Sequence, residues 1–319
     1  MANIYTLRAF LFGEWSSDVR LDGKTVIITG ANTGIGKETT RDLAKRGARI
    51  IMACRDIPKA EVTQREIIED SGNQNIVIRK LDLSDTKSIR EFAEIINNEE
   101  KQLHILINNA GVMMCPYSKT ADGFEMQIGV NHLGHFLLTF LLIDLLKKSA
   151  PSRIILLSSM AHSWGTIKLD DINSEKSYHS RRVYGQSKLA NILCTRSLGR
   201  RLKGALLKFL SPFLRMPPHR PYTGVTVYAV HPGIVRTELK RHMNLCLLFL
   251  WKVVRPFTKT TVQGAQTTVY CAVEPSLQSE TGGYYSNCGL SSCTRAARDD
   301  EMAEKLWELS CQMLGISWD

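Results

Sequence analysis

The chain has 319 residues, 44% apolar and 23% charged, a globular composition that excludes global disorder. Its formal charge of +10 suits an anionic partner: a nucleotide phosphate, a lipid head group or nucleic acid. Eight scattered cysteines with no C-x-x-C pair exclude a zinc framework and a small disulfide scaffold, and favour a reducing compartment.

From the N-terminus, residues 4–12 (IYTLRAFLF) are interrupted by Arg8. They are too short and too polar for a secretory segment, but suit a membrane surface. Apolar runs then alternate with helical patterns. KTVIIT (24–29), ARIIMA (48–53), NIVIRKL (75–81), HILIN (104–108), RIILLS (153–158), GVTVYAV (224–230) and GGYYS (282–286) read as seven strands. Most are β-branched and continuously apolar, the pattern of parallel strands covered on both faces. Residues 34–46, 58–71, 85–98 and 181–202 have helical length and period. This alternation predicts right-handed crossovers in an α/β fold, a single doubly wound (Rossmann) parallel seven-stranded sheet with helices on both faces. The domain spans 21–319, after an N-terminal extension over 1–20.

Two later segments break the rhythm. Residues 205–222 hold Pro212, Pro217, Pro218 and Pro221, which bars them from a helix interior or a central strand. They read as a surface excursion, either a tolerated loop or a sequence artefact. LCLLFLW (245–251), between Lys240, Arg241, Lys252 and Arg255, reads as an interfacial contact, the lid of a greasy pocket or a buried helix. No stretch reaches the ~18 to 20 apolar residues that span a bilayer, so peripheral membrane contact is the most that is expected.

The first strand runs into Thr29-Gly30-Ala31-Asn32-Thr33-Gly34-Ile35-Gly36, a T-G-x-x-x-G-x-G turn that opens a helix. Glycines let the backbone turn tightly and approach a pyrophosphate, and the helix N-terminus offers free N–H donors. The second strand ends in Cys54-Arg55, where an NAD-preferring fold presents an acid to the ribose 2′-OH; here the first acid is Asp56. With no carboxylate to repel it, a 2′-phosphate can meet the Arg55 guanidinium, and Lys37 adds positive potential, so the reading is NADP(H).

Tyr184 and Lys188, at i and i+4, share one helix face. A lysine cation beside a phenol lowers its pKa from ~10 toward the working pH, so Tyr184 can give a proton to a carbonyl or take one from an alcohol. His132 and His135 mimic a metal pair, but no third ligand is apparent, so they read as packed or hydrogen-bonded and no metal is expected. His162 either lines a substrate mouth or faces solvent. Cys288 and Cys293 read as free thiols.

Five motifs stand in one order: the glycine turn at 29–36, N-N-A-G at 108–111, Ser159 at a strand end, Y-x-x-x-K at 184–188 and Pro232-Gly233. Through them the chain resembles the short-chain dehydrogenase/reductase family over about residues 22–285. The resemblance is sharpest to the microsomal retinol dehydrogenases that reduce retinal with NADPH, through GANTGIGKET, ACRD, ILINNAGVM, GVNHLGHFLLT, SKLANIL, VYAVHPGIVRTEL and AEKLWELSCQMLGI. It implies Tyr184 as general acid/base, Lys188 as its partner on the nicotinamide ribose, Ser159 on the substrate oxygen and Asn131 holding a water that links Lys188 to solvent. It further implies an adenine contact at Asp82, a wall shaped by Asn108, Asn109 and Gly111, and Pro232, Gly233 and Thr237 at the nicotinamide end.

The implied activity is interconversion of retinal and retinol, or of similar apolar aldehydes and alcohols, by an NADP(H)-dependent oxidoreductase. The implied place is the cytosolic face of the endoplasmic reticulum membrane, or the cytoplasm if the shortened N-terminus does not anchor. A steroid or lipid carbonyl reductase and a catalytically silent NADP(H)-binding protein stay open as alternatives. Basic residues dispersed rather than clustered with aromatics speak against nucleic acid.

Overall fold

A computed structural model describes residues 15–204, 223–236 and 258–318. The expectations for residues 1–14, the 205–222 excursion, Thr237 and the apolar run at 245–251 lie outside these residues.

Strands β1 (Thr25–Thr29), β2 (Arg49–Cys54), β3 (Ile76–Lys80), β4 (Ile105–Asn108), β5 (Ser152–Leu157), β6 (Val225–His231) and β7 (Gly283–Ser286) form one parallel sheet in the order 3-2-1-4-5-6-7. The expected seven strands need one addition. Gly289–Leu290 is an eighth, antiparallel strand, β8, paired with β7. Asn287 and Cys288, both with positive φ, make the two-residue turn between them. A two-residue strand has too few positions to show a pattern in sequence.

Helices α1 (Gly34–Lys45), α2 (Ile57–Ser71) and α6 (Thr261–Val273) cover one face. Helices α3 (Thr86–Glu99), α4 (His135–Lys148), α5 (Ser180–Gly204) and α7 (Asp300–Leu314) belong to the other. Alternate strand residues serve opposite cores. Ile27, Ile51, Leu106 and Ile154 join Phe92, Leu137 and Trp307 on one side; Val26, Ile28, Ile50 and Ile107 join Leu43, Ile67 and Val269 on the other. Burial on both faces is why the strands read as unbroken apolar runs.

The reading that no stretch is long and apolar enough to span a bilayer needs a correction. Residues Met126–Lys148 are long and apolar enough to cross a bilayer by length and composition, but 83% of their apolar window is buried within the fold. They make a core helix with the apolar stripe closed all round by its neighbours.

Strand order reverses between β1 and β4, so the loops after their C-terminal ends diverge and open a crevice. The glycine turn after β1 and the N-N-A-G segment after β4 meet there.

Candidate active site

At Gly30 φ is +64° and an added Cβ would lie 3.0 Å from Ala110; at Gly36 it would meet the Gly30 carbonyl oxygen at 2.3 Å. Only glycine permits this turn. Asn109 holds it from the β4 side, donating from Nδ2 to the carbonyls of Thr29 (2.8 Å) and Gly30 (3.3 Å). Thr29 Oγ1 accepts in return from the backbone N–H groups of Asn109 and Ala110, both at 2.9 Å. Thr33 is the N-cap of α1 but makes no side-chain cap bond, so the first-turn donors are left for a ligand. Thr33, Gly34, Ile35 and Gly36 all line the cleft. Uncapped donors beside a turn that a Cβ would fill fit the pyrophosphate of a dinucleotide.

Asn32, Arg55, Asp82 and Lys59 line the adjoining end. The Arg55 side chain is 62% exposed and reaches to 3.7 Å from Asp82 Oδ2. Asp82 Oδ1 accepts from Ser84 N–H (2.9 Å) and Oγ–H (2.6 Å), which fixes the carboxylate in the wall. Lys37 does not serve as expected: its ammonium pairs with Glu66, and it is absent from the cleft lining. Lys59 takes that position. The sequence holds a signal for it, because Asp56 caps α2 by accepting from Lys59 N–H (3.1 Å), which places a lysine at the helix start one turn beyond Arg55.

At the other end, α5 brings Tyr184 and Lys188 into the wall, both 5% exposed. Lys188 Nζ donates to the Leu157 carbonyl (3.0 Å) and stands 5.7 Å from the Tyr184 ring centroid. Ser159 lies half-buried, next in sequence to the lining residue Ser158, with its hydroxyl near enough to Tyr184 to favour the phenolate. The expected lowering of the phenol pKa is not what the environment produces. Burial pushes Tyr184 up to about 12, opposed only by the nearby Ser159 hydroxyl, and burial brings Lys188 down to about 8. Removing a phenolate from water outweighs a cation aimed at a backbone carbonyl.

Asn131 is fully buried in a π-helical turn, Gly129–Gly134, a local widening frequent at functional sites. Its Oδ1 accepts from Val112 N–H (2.8 Å), while Nδ2 donates to Val112 O and to Ser187 Oγ, both at 2.9 Å. Gly111 lies between Asn131 and Lys188. Asn108 stands behind the wall, donating to Thr139 Oγ1 (2.9 Å). Pro232 lines the cleft; Gly233 sits behind it, against the Lys259 side chain.

His132 and His135 are buried and hydrogen-bonded: His132 Nε2 to Ser310 Oγ (2.9 Å), His135 Nε2 to Thr29 Oγ1 (2.9 Å). His162 does neither thing expected of it. It is 5% exposed, with Nδ1 on the Ser159 carbonyl (2.7 Å) and Nε2 accepting from Thr294 N–H (3.3 Å). Sequence reasoning also passed over His231, whose Nδ1 accepts from Met160 N–H (3.2 Å) and Gly233 N–H (3.3 Å). Its place directly before Pro232-Gly233 was the available signal.

Residues 24–208 match the short chain dehydrogenase family. Human retinol dehydrogenase 12 is 54% identical over 310 residues, covering 97% of this chain and 92% of that protein. Human retinol dehydrogenase 11 is 52% identical over 307 residues, covering 96% and 91%. Among solved structures, an uncharacterised protein from Mycobacterium paratuberculosis superposes with a TM-score of 0.72 at 35% identity, over 94% of this chain and 97% of that one. The cleft, the Tyr184/Lys188 helix and these relatives agree: the chain belongs to the short-chain dehydrogenase/reductase family and is a nicotinamide-dependent oxidoreductase acting on CH–OH donors.

Proposed function

We propose that this protein reduces retinal, or a closely similar apolar aldehyde, with NADPH, and that Tyr184 is the general acid. Identities of 52–54% to proteins named retinol dehydrogenase support the substrate. Support for NADPH comes from Arg55, rather than an acid, standing directly after β2, with Lys59 also in the cleft. The resemblance to microsomal enzymes supports a place on the cytosolic surface of the endoplasmic reticulum.

When bound, the dinucleotide supplies a hydride from its nicotinamide to the carbonyl carbon. Ser159 holds the carbonyl oxygen through its hydroxyl, and Tyr184 gives that oxygen its proton. A phenol kept protonated by burial suits the reductive direction, in which the residue must arrive as an acid. Lys188 keeps a positive charge beside the phenol as negative charge develops there. Asn131 anchors Val112 and so steadies the wall next to Lys188.

The observation that carries this reading is the meeting of Tyr184 and Lys188, with the Ser159 hydroxyl near the phenol, at one end of a cleft whose other end is the glycine turn. Its test is NADPH consumption with all-trans-retinal and a panel of other aldehydes. Tyr184→Phe lowers kcat by about 10²- to 10⁴-fold with nucleotide binding intact. Turnover that survives in this variant removes the phenol from its role.

A further inference from the structure

Ser159 lies two residues past β5 and caps the short 3₁₀ helix Met160–Trp164, its Oγ accepting from Ala161 N–H at 3.1 Å. The peptide unit that joins Ser159 to Met160 is held at both ends by imidazoles. Its carbonyl accepts from His162 twice, from the backbone N–H (3.1 Å) and from Nδ1 (2.7 Å). Its N–H donates to His231 Nδ1 (3.2 Å).

The partners dictate the tautomers. A carbonyl only accepts, so His162 carries its proton on Nδ1, and its Nε2 takes the Thr294 N–H. His231 Nδ1 receives two N–H groups, so in the neutral ring its proton is on Nε2. Protonating either ring would set an N–H against an N–H. Burial disfavours that charge in both, bringing His231 down to about 4 and lowering His162 as well.

We propose that His162 and His231 are positioning residues that clamp the Ser159–Met160 peptide and thereby set the direction in which the Ser159 hydroxyl meets the substrate oxygen. This rests on the role given to Ser159 above. His231 adds a second link, because the Gly233 N–H on the same nitrogen ties the serine to the loop carrying Pro232. Neither ring acts on substrate. They fix a peptide plane, and a misdirected hydroxyl costs rate even when the fold and the nucleotide site are intact.

The clamp is tested in two ways. In steady-state reduction, His231→Leu lowers kcat/KM for the aldehyde by about 10- to 100-fold while KM for NADPH changes less than about twofold. His231→Asn, whose Oδ1 can replace the Nδ1 acceptor, recovers most of that loss. In a Ser159→Ala background the His231→Leu penalty shrinks below about threefold, because its route to the substrate is gone. Full additivity in this cycle, or no rescue by asparagine, overturns the proposal. The second test needs no turnover: ¹⁵N NMR of the histidine rings in the unmutated protein at pH 6, assigned by loss of signal in His162→Asn and His231→Asn. The expected result is two neutral rings of opposite tautomer, His162 with Nδ1–H and His231 with Nε2–H. The reverse tautomer at either ring overturns the clamp. A protein that reduces no aldehyde but shows these tautomers instead counts against the proposed function.

Discussion

Replacing Arg55 with alanine isolates the contribution of the nucleotide's 2′-phosphate. A charge-assisted hydrogen bond is worth about 1.5 to 3 kcal/mol. Arg55 is 62% exposed and stands 3.7 Å from Asp82, an exposed pair worth about 0 to 1 kcal/mol that weakens when the guanidinium turns to a phosphate. The net is about 1 to 2 kcal/mol, or roughly 5- to 30-fold in affinity. NADH lacks the phosphate, so its KM stays within about twofold. Lys59→Ala acts in the same direction, but both cations address one phosphate, so the double variant falls short of the product of the two effects. The assay is KM and kcat/KM for NADPH and NADH at one fixed ionic strength, since exposed charges are screened. Equal losses for both nucleotides, or none for NADPH, would refute the assignment of Arg55 to the 2′-phosphate.

Gly36→Ala forces a methyl group to 2.3 Å from the Gly30 carbonyl, so thermal unfolding shows about 1 to 3 kcal/mol of lost stability and NADPH titration shows weakened binding. Lys188, brought down to about 8 by burial, loses its charge as pH rises through that value; kcat/KM for NADPH falls above about pH 8, and a profile flat to pH 10 contradicts the role given to the cation. Phe136 is 2% exposed and packs edge-on to Trp307 (4.7 Å) and Trp318 (5.1 Å), so Phe136→Ala costs about 3 to 5 kcal/mol in denaturant unfolding by loosening α7 from α4.

Several residues show how far reading along the chain reaches. Strand boundaries agree with the structure to within a residue or so, because burial on both faces makes each strand a continuous apolar word. The glycine turn and the Tyr184/Lys188 pair are equally legible, since each is local: one needs a fixed order of glycines, the other one helical turn. Lys37 and Lys59 could not be ranked this way. Both sit in the first turn of a helix, and only the packing of α1 beside α2 shows that Lys37 faces Glu66 and Lys59 faces the cleft.

The amino-acid order by itself determined the parallel doubly wound fold, the phosphate turn and the face that carries the phenol and ammonium, because these depend on periodicity and short-range spacing. Tertiary structure decided the rest. It placed His162 and His231 on either side of one peptide, from positions 69 residues apart (231 − 162). It closed the apolar helix at Met126–Lys148 inside a core, and it drove Tyr184 upward in pKa by taking it out of water. Burial and long-range hydrogen bonds depend on which segments meet in space, and no local pattern carries that information.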